Sequence, residues 1–281
     1  MTKRAVLIGI NRYRIPGADL RGCVNDVKNM QGVLTKHYGF KAGDITALTD
    51  YAATKKAMQA AIRDLVGKAR AGDVVLLHYS GHGANVPDKD GDEADNRDEI
   101  LCPTDLDWKD PLRDDWLRKT FNGLKPGVSL TVVMDCCHSG SNTRAIQPPD
   151  APMLPRYLPN PWDIMAEESG RKLRGKVMGE LRSSARASRK RSDIVHADIP
   201  ELLVTGCRDT QTSADAYIGG SYNGALTYNL VAAVRAAKGK ITYRELHTMV
   251  IEKLKKGKFD QVPQLEGRRN KFDLDFLSPA V

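Results

Sequence analysis

Two short stretches carry side chains able to do covalent chemistry. Met134 to Gly140, MDCCHSG, sets Cys136, Cys137 and His138 side by side at the end of an apolar run. His78 to Asn85, HYSGHGAN, sets His82 between Gly81 and Gly83 at the end of another. A thiol within reach of an imidazole is the pairing that activates a sulfur nucleophile. Neighbours on an extended chain point to opposite faces, so His138 is a poor base for Cys137. The partner imidazole must come from elsewhere in the chain, and spacing alone leaves open which cysteine reacts.

The elements that must position these groups are legible as apolar runs. Lys3 to Ile10, Asp73 to Ser80, Val128 to Asp135 and the run from Glu201 read as buried strands, with a shorter one at Ile45 to Leu48. Helical spacing is found from about Asn25 to His37, from Thr54, an N-cap, to about Ala69, and over Ala225 to Ala237 and Tyr243 to Lys255. Strands apolar throughout, alternating with amphipathic helices, predict an α/β fold with a mostly parallel sheet covered on both faces. Functional groups gather outside the carboxyl ends of such strands. His82 and Cys137 both fall just beyond such ends, and if their strands are neighbours, about 4.8 Å apart, the two side chains can meet. The backbone amides of Gly83 and Cys137 are then placed to donate to a developing oxyanion.

Composition narrows the class. The chain has 281 residues, 41% hydrophobic, enough for one large core, and one domain spanning 1–281 is expected. Five cysteines in no paired spacing argue against a disulfide scaffold or a zinc site. No stretch approaches the roughly 20 apolar residues of a membrane helix, and the N-terminal run is too short for a secretory signal. A cytoplasmic protein is expected, with no prodomain visible before the first strand. The net charge of +8 is concentrated between Arg171 and Arg191, which holds nine bases and one acid, so the remainder is neutral and nucleic acid is not the expected partner. Two stretches interrupt the alternation: Asp88 to Glu99, with seven acids, and 141–198, Pro-rich and then basic. Both read as surface loops or disorder.

The blocks LIGINRY, LRGCVND, HYSGHG, DEILCPTD, MDCCHSG, VTGCRDTQTSAD and VPQL, in this order and with His82 and Cys137 55 residues apart, resemble those of metacaspases, caspase-like cysteine peptidases. The resemblance implies a caspase-like three-layer sandwich and makes Cys137, the cysteine before the histidine in D-x-C-H-S-G, the nucleophile, with His82 as its base. Cys136 takes the variable position and is expected to be a small buried residue. Asp135 lies two residues before Cys137 on the same strand face, and Asp26 follows the first strand at the same sheet edge. Both match metacaspase positions lining an acidic S1 pocket, together with Cys23 and Ser80. Such a pocket selects Arg or Lys at P1, because a buried cation needs an opposite charge.

An enzyme cutting after Arg or Lys carries candidate targets in its own basic loop: Lys172, Arg174, Lys176, Arg182, Arg186, Arg189, Lys190 and Arg191. Cleavage there would divide a large part, about 1–170, from a small part, about 192–281, as in a zymogen. The chemistry requires no cofactor. Calcium is a candidate activator, since Asp98, Asp114 and Asp115 match three of four aspartates that bind it in similar metacaspases, but the fourth position is Arg144. Asp88, Asp90, Asp92 and Glu99 also fit an EF-hand-like register, with Glu93 where the loop requires glycine. The expected function is a cysteine endopeptidase, acting as a monomer on protein or peptide substrates. The competing readings are a caspase-fold peptidase preferring Asn or Asp, and a non-catalytic scaffold or nucleic-acid binder using the basic loop.

Overall fold

The computed structural model describes residues 1–88, 97–137, 152–165, 194–196, 199–208 and 211–280. In chain order the first half contains β1 (Lys3–Gly9), α1 (Cys23–Tyr38), β2 (Ile45–Thr49), α2 (Lys55–Lys68), β3 (Val74–Ser80), β4 (Gly83–Pro87), β5 (Arg97–Leu101), β6 (Leu112–Arg113), α3 (Asp114–Phe121) and β7 (Ser129–Asp135). The second half contains β8 (Met153–Pro155), a helix α4 described over 161–165, β9 (Ile194–His196), β10 (Leu202–Thr205), β11 (Ala214–Ile218), β12 (Ser221–Gly224), α5 (Ala225–Ala236), α6 (Tyr243–Lys256) and β13 (Gln264–Gly267).

Seven strands form the central sheet in the order β2-β1-β3-β7-β10-β13-β9, parallel except where β10 meets β13. The alternation of side chains along β1 makes two cores from one strand. Val6 and Ile8 pack with Met58 and Ile62 of α2 and Leu117 of α3. Ala5 and Leu7 pack with Val27 and Met30 of α1, Leu230 of α5 and Leu246 of α6. Helices therefore cover both faces, the arrangement that continuous apolar strands require. Thr54 caps α2 through the Ala57 N–H at 3.2 Å, as its sequence position predicts.

What positions the site is the register of β3 on β7. Their final rung pairs Ser80 with Asp135, so His82 and Cys137 each stand two residues beyond the same rung. Two smaller antiparallel sheets flank this edge, β4-β5-β6 and β12-β11-β8.

Both interrupting stretches differ in part from the loops expected. The acidic stretch ends in a strand, because Arg97–Leu101 pairs with Gly83–Pro87 as β5 on β4. Within 141–198, Leu154, Arg156, Tyr157, Leu158 and Asn160 are buried. Overall composition is the wrong guide here: this short piece builds no core of its own, but adds a third strand to β12-β11 and enters a core already made.

Candidate active site

Gly81 carries the chain out of β3 towards His82. A Cβ at Gly81 would stand 2.7 Å and 2.8 Å from the hydroxyl oxygens of Tyr79 and Tyr13, so a side chain is excluded there. The imidazole of His82 is 5% exposed and lies against the Tyr13 ring, centroids 5.0 Å apart. Its Nε2 is 2.8 Å from the Ala18 carbonyl oxygen. A carbonyl only accepts, so Nε2 carries the proton and Nδ1 the lone pair. Nδ1 is buried without a hydrogen-bond partner among the described residues. Burial lowers the pKa of this imidazole to about 4, so it is neutral near pH 7.

Cys137 is 1% exposed. Its Sγ accepts the Ser213 N–H and lies 3.4 Å from Sγ of Cys207. Burial, reinforced by the hydrogen bond from Cys207, raises its pKa well above the usual thiol value. Among the described residues no hydrogen bond joins Cys137 to His82. Cys136 points the other way, into the core beneath α2 and α3, as strand alternation requires. His138 and Arg144 lie outside the described residues.

The N–H groups of Gly83 and Cys137 converge on one atom, the carbonyl oxygen of Arg156, at 3.0 Å and 3.2 Å. The side chain of Arg156, fully buried, runs into a pocket of carboxylates. Nη2 donates to Asp26 Oδ2 at 2.8 Å and to Asp215 Oδ1 at 3.1 Å. Nη1 donates to Ser80 Oγ at 2.8 Å and stands 3.3 Å from Asp135 Oδ1. Each carboxylate is held from behind: Asp26 by the Gly224 N–H, Asp135 by Ser213 Oγ and Thr227, and Asp215 by the N–H groups of Arg21 and Gly22. Gly224 leaves the space the guanidinium occupies, since a Cβ there would overlap Arg156 Nη1 and Asp135 Oδ2. Burial and the neighbouring Asp135 raise the pKa of Asp26 to about 7 against the pull of Arg156. Burial alone would lower the pKa of Arg156, but Asp135 and the other anions around it outweigh that and keep it charged.

The residues read from the sequence as an S1 pocket are thus brought together: Asp26, Asp135 and Ser80 touch the guanidinium, and Cys23 is fully buried beside them. Asp215, Ser213, Gly224 and Arg156 were missed. Asp215 and Ser213 sit inside the VTGCRDTQTSAD block, which was the available signal; Arg156 sits in a Pro-rich stretch that gave none.

The three acids read as calcium ligands do not converge. Arg113 pairs with Asp98 and Arg118 with Asp115, and among the described residues no group of three His, Cys, Asp or Glu side chains is arranged to hold a metal. This set does not fit the ion as it stands. Asp88 and Glu99 flank a stretch, with Asp90, Asp92 and Glu93, outside the described residues. The basic-loop positions 172–191 lie outside them as well. No described helix is long and apolar enough to cross a membrane.

A sandwich with a mostly parallel sheet, carrying a histidine and a cysteine on adjacent strand tips, defines the caspase-like class. A crystal structure of caspase-1 from Spodoptera frugiperda matches with a TM-score of 0.53 at 13% identity, over 95% of this chain and 90% of that one. Protein GSU0716 from Geobacter sulfurreducens matches with a TM-score of 0.68 at 25% identity over 100% of both chains. The family model of the metacaspase peptidase C14 domain matches residues 3–145. Metacaspase-1A of Neurospora crassa is 34% identical over 98% of this chain and 64% of its own length, and Metacaspase-1A of Aspergillus oryzae 35% identical over 94% and 67%. The chain belongs to the metacaspases, a family of cysteine peptidases, and spans about two thirds of the length of these relatives.

Proposed function

We propose that this protein is a cysteine endopeptidase that hydrolyses peptide bonds after arginine, and more slowly after lysine. The observation that carries the proposal is the buried guanidinium of Arg156 among Asp26, Asp135 and Asp215, with the carbonyl of the same residue between two N–H donors. Three carboxylates in a desolvated pocket repel an aspartate side chain and offer asparagine no compensating charge. They also distinguish the two cations. The fork of arginine reaches Asp26 and Asp215 with one nitrogen and Ser80 with the other, which the single ammonium of lysine cannot reproduce.

In the proposed reaction Nδ1 of His82 takes the thiol proton of Cys137, once the sulfur has turned away from Cys207. The thiolate attacks the P1 carbonyl, and the Gly83 and Cys137 amides stabilise the oxyanion. As the C–N bond breaks, His82 returns the proton to the leaving amine. Water, deprotonated by the same nitrogen, then releases the acyl group from sulfur. The Ala18 carbonyl keeps Nε2 protonated throughout and stabilises the transient imidazolium.

Steady-state turnover of fluorogenic peptides ending in Arg, Lys, Asn or Asp tests the reading. Expected is Arg above Lys by about tenfold or more, with Asn and Asp at background and all activity lost in Cys137→Ala. Equal or better cleavage after Asp or Asn would contradict it.

A further inference from the structure

We propose that Met153 to Leu158 is the chain's own first substrate, bound in its own active site, and that the bond cut is Arg156–Tyr157. The inference rests on the peptidase reading above and assigns the self-processing bond, which the composition of the basic loop placed elsewhere.

Four independent contacts of this segment are those a bound substrate needs. The guanidinium fills the acidic pocket. The carbonyl of the same residue accepts from Gly83 and Cys137. The Arg156 N–H donates to the Ser213 carbonyl at 2.9 Å. The residues before it, Met153 to Pro155, pair antiparallel with Ala214 to Ala216 of β11, in the extended form in which peptidases hold the acyl side of a substrate. A purely structural ion pair explains the first contact and leaves the carbonyl free to point anywhere. That side chain, carbonyl and N–H are all engaged, on one residue and beside Cys137, is the juxtaposition that carries the assignment.

The leaving side is held as well. The Leu158 N–H donates to the Gly83 carbonyl at 2.9 Å, Asn160 donates to the Asn85 carbonyl at 3.0 Å, and Asp163 pairs with Arg97 at 2.8 Å. The scissile bond is therefore tethered on both sides, and the uncut segment occupies the pocket that any other substrate needs. Cleavage breaks the Arg156–Tyr157 C–N bond, forms a thioester on Cys137 and sends the proton through His82 to the new Tyr157 amine. Water then yields the Arg156 carboxylate and restores the thiol. A peptide bond and one water are consumed, and no other reactant is needed. The segment also specifies what an external substrate resembles: leucine at P3, whose counterpart Leu154 is buried, proline at P2 and arginine at P1.

The test is intact-mass and N-terminal sequence analysis of the full chain during incubation, with Arg156→Ala, Arg156→Lys and Cys137→Ala beside it, and a Leu-Pro-Arg fluorogenic peptide as external substrate. Wild type is expected to give a fragment beginning at Tyr157, with a half-time unchanged by tenfold dilution, and Cys137→Ala to remain whole. Arg156→Ala is expected to lose that cut and to hydrolyse the peptide without the lag shown by uncut wild type. If Arg156→Ala does not fold, Arg156→Lys decides, with the same cut slowed at least tenfold. Wild type that turns over the peptide while the 156–157 bond stays intact overturns this inference and leaves the arginine preference standing. A folded wild type and folded Arg156→Lys that both ignore the peptide overturn the peptidase reading and this inference with it.

Discussion

Two neighbouring parts of one sheet edge are built to different degrees of completion. In the acidic pocket, each carboxylate touches the guanidinium and also takes at least one further hydrogen bond from behind. At the strand tips beside it, His82 Nδ1 has no hydrogen-bond partner among the described residues, and Cys137 bonds to Ser213 and Cys207 instead of to the imidazole. The acidic pocket is fully bonded, while the thiol and the imidazole stay apart. Filling an acidic pocket offsets a desolvation cost of several kcal/mol per buried charge, whereas a neutral nitrogen left without a partner costs about 1–3 kcal/mol.

The contrast is broken most severely by closing the pocket. Gly224→Ala places a methyl group where the guanidinium lies, and kcat/KM for arginine peptides is expected to fall about 100-fold or more, the scale of a misplaced substrate. Alkylation of Cys137 by a small reagent should change little, which separates loss of recognition from loss of the nucleophile.

Next in size is the response of stability to acid. His78 and His82 are both buried, with pKa values lowered to about 4. Their contribution to stability is fully present above the unfolded value near 6.5 and is lost as pH falls towards 4, roughly 3 kcal/mol each. Asp26, raised to about 7, acts in the opposite sense, since what it contributes is present at low pH and lost as pH rises through 7. A net loss of roughly one histidine's worth is expected between pH 6.5 and 4, and His78→Asn should remove most of it, as read from urea unfolding midpoints. A flat profile would mean that the imidazoles are hydrated.

Smaller effects sharpen the picture at the strand tips. Cys207→Ala removes the thiol that faces Cys137, and alkylation of Cys137 is expected to speed up about threefold as its raised pKa relaxes. The smallest expected effect concerns calcium. Calcium could reach Asp98 only if Arg113 left it, so any half-activation by added calcium should need several-fold less of the ion in Arg113→Ala. Equal turnover in chelator and in calcium would show that the ion plays no part in activity.

The sequence exposed what its patterns encode locally. Lys3 to Gly9, Val74 to Ser80 and Ser129 to Asp135 are readable because each is apolar on both faces, and His82 and Cys137 because each follows such a run. Asp135 was accessible through strand alternation. Asp215 was marked only by its place in the VTGCRDTQTSAD block, because it reaches the pocket on a small antiparallel sheet remote in sequence from Asp26. Arg156 was hidden for a deeper reason. Its burial depends on three carboxylates contributed by other parts of the chain, and the Pro-rich stretch around it gives no periodicity to detect.

A pocket beside Cys137 that receives an arginine side chain presents the carbonyl of that residue to the sulfur. A Leu-Pro-Arg chloromethyl ketone, set against its Leu-Pro-Asp counterpart and followed by peptide mapping of the labelled, self-processed protein, tests it most directly. One adduct is expected, on Cys137, formed by the arginine reagent at least 100-fold faster. Labelling of Cys136, Cys207 or another cysteine in its place, or equal rates with the aspartate reagent, would contradict it.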